Sequence, residues 1–198
     1  MTSRPSLVRS FVLCLLVLTG CMGSAKTAVD SFDDMGDNEV LIVGRVELAP
    51  PLEKGEQKLK NMIGAGMVRD KLLLLTDESW RRLDDEPGRG DHQGRIEAVF
   101  DRTFFVSSKN KPFYILVGEL WLDGADKVYF PAGLKINIRP ADKAVYIGTL
   151  RYHRNEFFHF PKYGVIDDYE QAKAEFRKKF GNRYPLVKAL AVPVKEKE

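Results

Sequence analysis

The sequence predicts a mainly β protein, an antiparallel β-sandwich with one C-terminal α-helix packed on it. Between residues 96 and 152, short segments rich in Val, Ile, Phe, Tyr and Trp are separated by turn sequences such as Asp123-Gly124, a spacing typical of sandwiches and barrels. Between residues 167 and 180 the apolar side chains recur at helical spacing instead. We therefore expect a single domain at residues 39–194.

The first 20 residues have the three parts of a secretory signal. The start carries two arginines, residues 11–18 are apolar, and the small residues Thr19 and Gly20 precede the cleavage site. The apolar run is shorter than the ~20 residues that a membrane-spanning helix needs. We therefore expect residues 1–20 to be removed by cleavage before Cys21.

The sequence Leu18-Thr19-Gly20-Cys21 resembles the lipobox of bacterial lipoproteins, in which a branched aliphatic residue and two small residues precede an obligatory cysteine. The resemblance implies a diacylglyceryl group on the thiol of Cys21 and, usually, acylation of the new amino group, which together form a stable membrane anchor. Residue 22 is Met, not the Asp that retains lipoproteins in the inner membrane of well-studied Gram-negative bacteria. The implied location is therefore the outer membrane, facing the periplasm. The alternative is an ordinary secretory signal with a chance cysteine.

The domain is expected to follow a tether. Residues 21–38 are mostly small, polar or acidic, a composition typical of flexible chain. Residues 53–94 are rich in Gly and charge and predict an irregular insertion, apart from a buried strand at 72–75. The other predicted strands are rich in β-branched and aromatic residues. They comprise residues 40–48, 96–100, 104–107, 113–122, 127–130, 134–138, 144–152, 156–160 and 163–166.

A helix is predicted at residues 167–180. Asp167 and Glu170 have the spacing of a capping box, and Gly181 ends the pattern. The apolar face is expected to lie on the sheet, and it consists of Tyr169, Ala172, Phe176 and Phe180. Residues 184–194 then predict either a final edge strand or an extended arm, because their prolines limit strand pairing.

Charge and cysteine content exclude several functions. Of the 31 basic residues, two leave with the signal, so 29 remain beside 28 acidic ones and no basic patch for nucleic acid is indicated. The two cysteines are Cys14, which leaves with the signal, and Cys21, which the lipobox resemblance assigns to the lipid. We therefore expect no disulfide, no thiolate metal site and no cysteine nucleophile, and a domain held together by packing. No motif in the sequence indicates a cofactor, and we expect none.

A second resemblance covers about the last third of the chain. The segment Phe130-Pro131-Ala132-Gly133, residues 145–152 and the helix that begins after Asp167-Asp168 are similar to uncharacterised bacterial lipoproteins that carry a small transthyretin-like or carboxypeptidase-regulatory-like β-sandwich. This resemblance implies a fold and carries over no catalytic residue.

Two histidines are candidates for metal binding or catalysis. His153 and His159 flank a predicted turn at Arg154-Asn155 and are expected to face each other across a hairpin. A catalytic zinc usually takes three protein ligands, and the chain has neither a His-Glu-x-x-His motif nor a Gly-x-Ser-x-Gly elbow. Histidines that face solvent at the ends of strands are the simpler interpretation.

Aromatic residues around the same turn are candidates for binding an envelope protein or a glycan. Because adjacent strand residues point to opposite faces, one of Phe157 and Phe158 is expected to be buried and the other exposed. The candidate surface consists of Tyr152, Phe157, Phe158 and Tyr163.

Together these features predict a lipid-anchored protein of the bacterial cell envelope that acts as a non-enzymatic structural or binding module. One alternative is an envelope hydrolase or metal-dependent enzyme that uses His153 and His159. Another is an accessory subunit of an envelope complex such as an export machine. The sequence names no substrate.

Overall fold

The computed structural model describes residues 28–56, 58–59, 67–68, 71–77, 94–123, 126–131 and 133–194. A 3-10 turn spans Phe32–Asp34 and helix α1 spans Tyr169–Phe180. The strands are β1 (Glu39–Ala49), β2 (Lys58–Leu59), β3 (Met67–Val68), β4 (Lys71–Asp77), β5 (Gly94–Val99), β6 (Thr103–Lys109), β7 (Phe113–Asp123), β8 (Asp126–Tyr129), β9 (Leu134–Asn137), β10 (Ala144–His153), β11 (Lys162–Ile166), β12 (Val187–Lys188) and β13 (Val192–Pro193).

Most of these strands form two sheets. The first has the order β11-β10-β1-β6, with β12 also paired to β10, and the second has the order β13-β9-β7-β4-β5, with β8 paired to β7. A sandwich of mainly β structure with one C-terminal helix is therefore confirmed. The pairing differs in one respect from the predicted antiparallel arrangement, because β10 runs parallel to both β1 and β12. Parallel neighbours need a long connection, and here β4, β5, β7, β8 and β9 of the second sheet lie between β1 and β10 in sequence.

Helix α1 covers the outer face of the first sheet, so that sheet has a core on each side. Val40 and Ile42 of β1 belong to the main core between the sheets. Leu41, one position away on the same strand, belongs to a smaller core with Ala172 and Phe176 of α1. This arrangement confirms the prediction that the aromatic face of the helix lies on the sheet. It also explains why β1 and β10 read as almost continuous apolar segments.

A bulge in β10 divides the outer face of the first sheet into an apolar half and a polar half. The β1–β10 register shifts after Val43, and the shift lies beside Gly148, whose φ is 101°. A residue with a side chain rarely adopts this conformation, and a Cβ at Gly148 would lie 2.5 Å from Val165 Cγ1. Beyond the bulge the outward positions carry polar groups such as Arg45 and Thr149.

The tether predicted at residues 21–38 is wrong from Ala28 onwards. Ala28 forms a β-bridge with Val106, and Val29 is buried in the core beneath α1. Ser31 caps the following 3-10 turn in a capping box. The ring of Phe32 lies 4.9–6.0 Å, between centroids, from three aromatic rings at the end of α1: Phe176, Phe180 and Tyr184. The polar composition of this segment concealed the apolar residues that hold it to the domain.

Two further predictions need correction. The strand predicted at 156–160 is a loop, because β10 pairs with β11 only from His153 opposite Lys162. The N-cap of α1 is Asp168, which makes no side-chain capping bond, so the predicted capping box is not formed. The buried strand predicted at 72–75, within the insertion predicted at 53–94, is confirmed as β4, which lies between β5 and β7 inside the second sheet. Residues 78–93 lie outside the described part of the chain.

A candidate docking loop after strand β10

The segment that joins β10 to β11, residues 154–161, contains or borders all the candidate site residues of the domain. Its first residue, Arg154, has a side chain that is only 3% exposed. The guanidinium donates from Nε to Pro50 O (3.0 Å) and from Nη2 to Pro51 O (2.8 Å), and it forms a bidentate pair with the carboxylate of Glu56 (2.6 and 2.8 Å). These contacts fix the loop to residues 50–56, which follow β1.

Asn155 organises the next turn through its side chain. Its Oδ1 accepts from the backbone N–H of Phe157 (3.0 Å) and of His159 (2.9 Å), and its own N–H donates to His159 O (3.0 Å). Phe158, between them, has a φ of 55°, a conformation that costs a residue with a Cβ ~1–2 kcal/mol. The loop therefore keeps a strained backbone that its hydrogen bonds stabilise.

The rings of Phe157 and Phe158 point in different directions. Phe158 packs against the main core, and the Arg154 guanidinium carbon lies 4.9 Å from its ring centroid. Phe157 is 78% exposed, and in the part of the chain that the structure describes the only other exposed large hydrophobic residue is Val192, at 47%. A rigid loop thus presents one aromatic ring to solvent.

The other two aromatic candidates belong to the core. Tyr152 is buried, with its ring centroid 4.4 Å from that of Phe130, and burial raises the pKa of its phenol. Tyr163 is half-buried and packs against the same core. Of the four aromatic residues predicted as a binding surface, Phe157 alone is therefore available to a partner.

The structure does not bring His153 and His159 together across a tight hairpin. His153 is the last residue of β10 and lies opposite Lys162 of β11, while His159 lies inside the intervening loop. Within the described residues, no group of three His, Cys, Asp or Glu side chains is arranged to hold a metal ion. The set of three ligands that a metal-dependent enzyme at these histidines would need is thus not observed there.

A second polar cluster lies on the outer face of the first sheet and includes Glu175 of α1. Arg45 Nη2 lies 3.0 Å from Glu175 Oε1 and donates to Thr103 Oγ1 at 3.2 Å, and Arg151 donates twice to Glu47 Oε2 (2.7 and 2.9 Å). Burial acts to raise the pKa of Glu175, but hydrogen bonds to its carboxylate and the charge of Arg45 outweigh it and hold that pKa below its ordinary value. These charges are paired with one another, which favours a structural role.

Cys21, Gly20 and the whole predicted signal lie outside the described residues. Among the residues that are described, no helix has both the length and the apolar character needed to cross a bilayer. No family model matches the chain, and neither a curated protein nor a solved structure matches it. Both resemblances found in the sequence therefore stay predictions.

Proposed function

We propose that the protein is a lipid-anchored component of the bacterial cell envelope, attached through Cys21 to the outer membrane and facing the periplasm. The lipobox resemblance and the signal-like residues before it support this location. Cys21 precedes Ala28, the first residue that the structure describes, which already pairs with Val106 of β6; we therefore expect a lipid on Cys21 to leave the sandwich intact. We further propose that the domain is a non-enzymatic binding module.

The exposed ring of Phe157 is the observation that carries the binding proposal. A Phe side chain left in solvent loses the ~1.5–3 kcal/mol of stabilisation that its burial would contribute. The backbone of the neighbouring residue, Phe158, is also strained. Strain of this kind is concentrated at functional sites, and a rigid aromatic anchor that enters a pocket is a common centre of protein–protein binding energy. No second exposed aromatic ring accompanies it among the described residues, so a protein pocket fits better than stacking on a glycan.

The experiment is site-specific photo-crosslinking in intact cells. A photoreactive phenylalanine analogue placed at Phe157 should give a discrete adduct of higher mass, because the ring would lie inside a partner pocket. The matched control is the same analogue at Asn137, an exposed position on β9 in the second sheet, where no such adduct is expected. Equal labelling at both positions, or none at Phe157, contradicts the proposal.

The alternative of a hydrolase or metal-dependent enzyme at His153 and His159 gains no support from the described geometry. An accessory subunit of an envelope complex is compatible with the binding proposal, since such a subunit needs an anchor and a docking surface. The adduct formed at Phe157 would identify that complex directly.

A further inference from the structure

The N-terminal segment is bound to one particular part of the domain. Val29 donates from its backbone N–H to Phe105 O (3.0 Å), and Phe32 packs among the aromatic rings at the end of α1. Two ion pairs reinforce this contact: Lys179 Nζ to Asp30 Oδ1 and Arg183 Nη1 to Asp33 Oδ1, both 2.7 Å. The chain that follows Cys21 thus enters the domain beside the C-terminal end of α1.

The distance from the proposed lipid to this point is short. Six residues lie between Cys21 and Ala28, and the seven Cα–Cα steps that join them span at most ~25 Å when fully extended. A flexible tether from Cys21 to residue 38 would have allowed the domain to turn freely above the bilayer. The shorter spacer between Cys21 and Ala28 holds the end of α1 close to the bilayer instead.

We propose that the C-terminal half of α1 and the turn after it, residues 175–184, form a membrane-facing surface that binds anionic phospholipid headgroups through Arg177 and Lys178. This inference rests on the proposed lipidation of Cys21. It adds an orientation to the anchor, because one face of the domain contacts the bilayer and the opposite end faces the periplasm.

The charges of this surface fit anionic headgroups. Arg177 and Lys178 are exposed on α1, and no carboxylate lies within 4.0 Å of either among the described residues. The neighbouring cations Lys179 and Arg183 are paired with the N-terminal segment, so Arg177 and Lys178 remain for an outside anion. A groove of about 600 Å³ lies between α1 and residues 182–186, and its lining includes Lys173, Arg177 and Tyr184. Cations near an anionic membrane each add attraction that falls off within a Debye length.

The same geometry places Phe157 away from the bilayer. Ala28 bridges to Val106, which lies opposite Ile42 of β1, whereas the 154–161 loop begins beyond Ala49 at the far end of that strand. Seven strand residues correspond to ~23 Å along the sheet. The surface that faces the bilayer and the proposed docking loop are therefore separate.

The test uses the acylated protein extracted from membranes and reconstituted into vesicles of phosphatidylcholine with phosphatidylglycerol. The mature chain has no other cysteine and acylation blocks the thiol of Cys21, so Asn182→Cys, at an exposed position in the turn after α1, and, as control, Glu156→Cys each provide a single site for a fluorophore. Nitroxide-labelled headgroups should cause a loss of fluorescence at residue 182 and none at residue 156. Equal loss at both sites, or no loss at 182, overturns the inference.

A second arm tests the headgroup charge. The same fluorophore on Asn182→Cys should lose quenching when Arg177→Gln and Lys178→Gln are combined, and also when the vesicles contain phosphatidylcholine alone. Unchanged quenching in both cases would mean that the spacer alone sets the orientation, and would reject the charge contact. The mass of the extracted protein separates the two proposals: without acyl mass the proposed anchor fails, whereas acylated protein that is not quenched at 182 contradicts only this inference.

Discussion

Substitution of Arg154 by Ala tests whether the buried guanidinium holds the docking loop. The substitution leaves the carbonyl oxygens of Pro50 and Pro51 without the hydrogen bonds that they accept from Arg154, and it removes the bidentate partner of Glu56. Arg154 is the residue that connects the 154–161 loop to residues 50–56 through four hydrogen bonds. We therefore expect both a loss of stability and a loosened loop.

The expected loss of stability in Arg154→Ala follows from the burial of the ion pair between Arg154 and Glu56. Removing one partner of a buried ion pair typically costs ~3–5 kcal/mol. The side chain of Glu56 is 25% exposed and is partly solvated, so the lower end of that range applies. A loss of ~3 kcal/mol is a large part of the ~5–15 kcal/mol that stabilises an ordinary domain. Arg154→Lys should cost less than Arg154→Ala, since an ammonium keeps the charge but cannot make the bidentate contact.

Urea unfolding followed by far-ultraviolet circular dichroism measures this loss, and ~3 kcal/mol should lower the midpoint by ~1–3 M. Arg151→Ala is the matched control on the same strand: its guanidinium also contacts a carboxylate twice, but the side chain is 42% exposed. An exposed pair is worth ~0–1 kcal/mol. If Arg154→Ala costs no more than Arg151→Ala, the loop does not depend on the buried guanidinium.

Three other substitutions test separate features by the same unfolding measurement. Gly148→Ala should cost at least ~2 kcal/mol, because φ is positive at this residue and a Cβ would contact β11 closely. The control Gly164→Ala, where the space around the Cβ is open, should change stability by under ~0.5 kcal/mol. Similar losses for the two variants would contradict the conclusion that the bulge in β10 requires a glycine. Phe32→Ala should cost ~2 kcal/mol of stability because the ring packs against α1. No loss would mean that residues 28–38 are a flexible tether, as the sequence predicted. Glu175→Gln should cost under ~1 kcal/mol at pH 7. The pKa of the Glu175 carboxyl is lowered in the folded state, so its contribution to stability is lost as the pH falls below the ordinary value of 4.5. The difference in unfolding free energy between the wild type and Glu175→Gln should therefore shrink below that pH, and a difference that does not depend on pH would refute the ion pair.

Local patterns were sufficient to predict most strands and the helix. Residues 40–43 and 144–147 are apolar throughout because both faces of β1 and β10 are buried there, and residues 169–180 show the helical repeat of Phe176 and Phe180. Their pairing was not predictable in the same way. The parallel contact between β1 and β10 joins segments about 100 residues apart, and neither segment carries a local signal that selects its neighbour.

The candidate site was predicted in part. Phe157 is exposed as expected of one of the two phenylalanines, but Phe158 is half-buried where a buried ring was expected, and the reason given was wrong, since both lie in a loop and not in a strand. Arg154 was missed because an arginine after a strand is usually exposed, and its partners come from a segment about 100 residues earlier. Phe32 was the one available signal in the N-terminal segment: an aromatic residue within an acidic stretch indicates packing that the overall composition concealed.

The most direct test of the proposed function is the intact mass of the protein extracted from membranes, measured beside a Cys21→Ala variant and with fractionation of both. The account predicts that the wild-type protein lacks residues 1–20, carries acyl mass on Cys21 and sediments with membranes, while the variant does none of these. A wild-type protein that is soluble and carries no acyl group would contradict the lipid anchor, and with it the membrane-facing surface on α1.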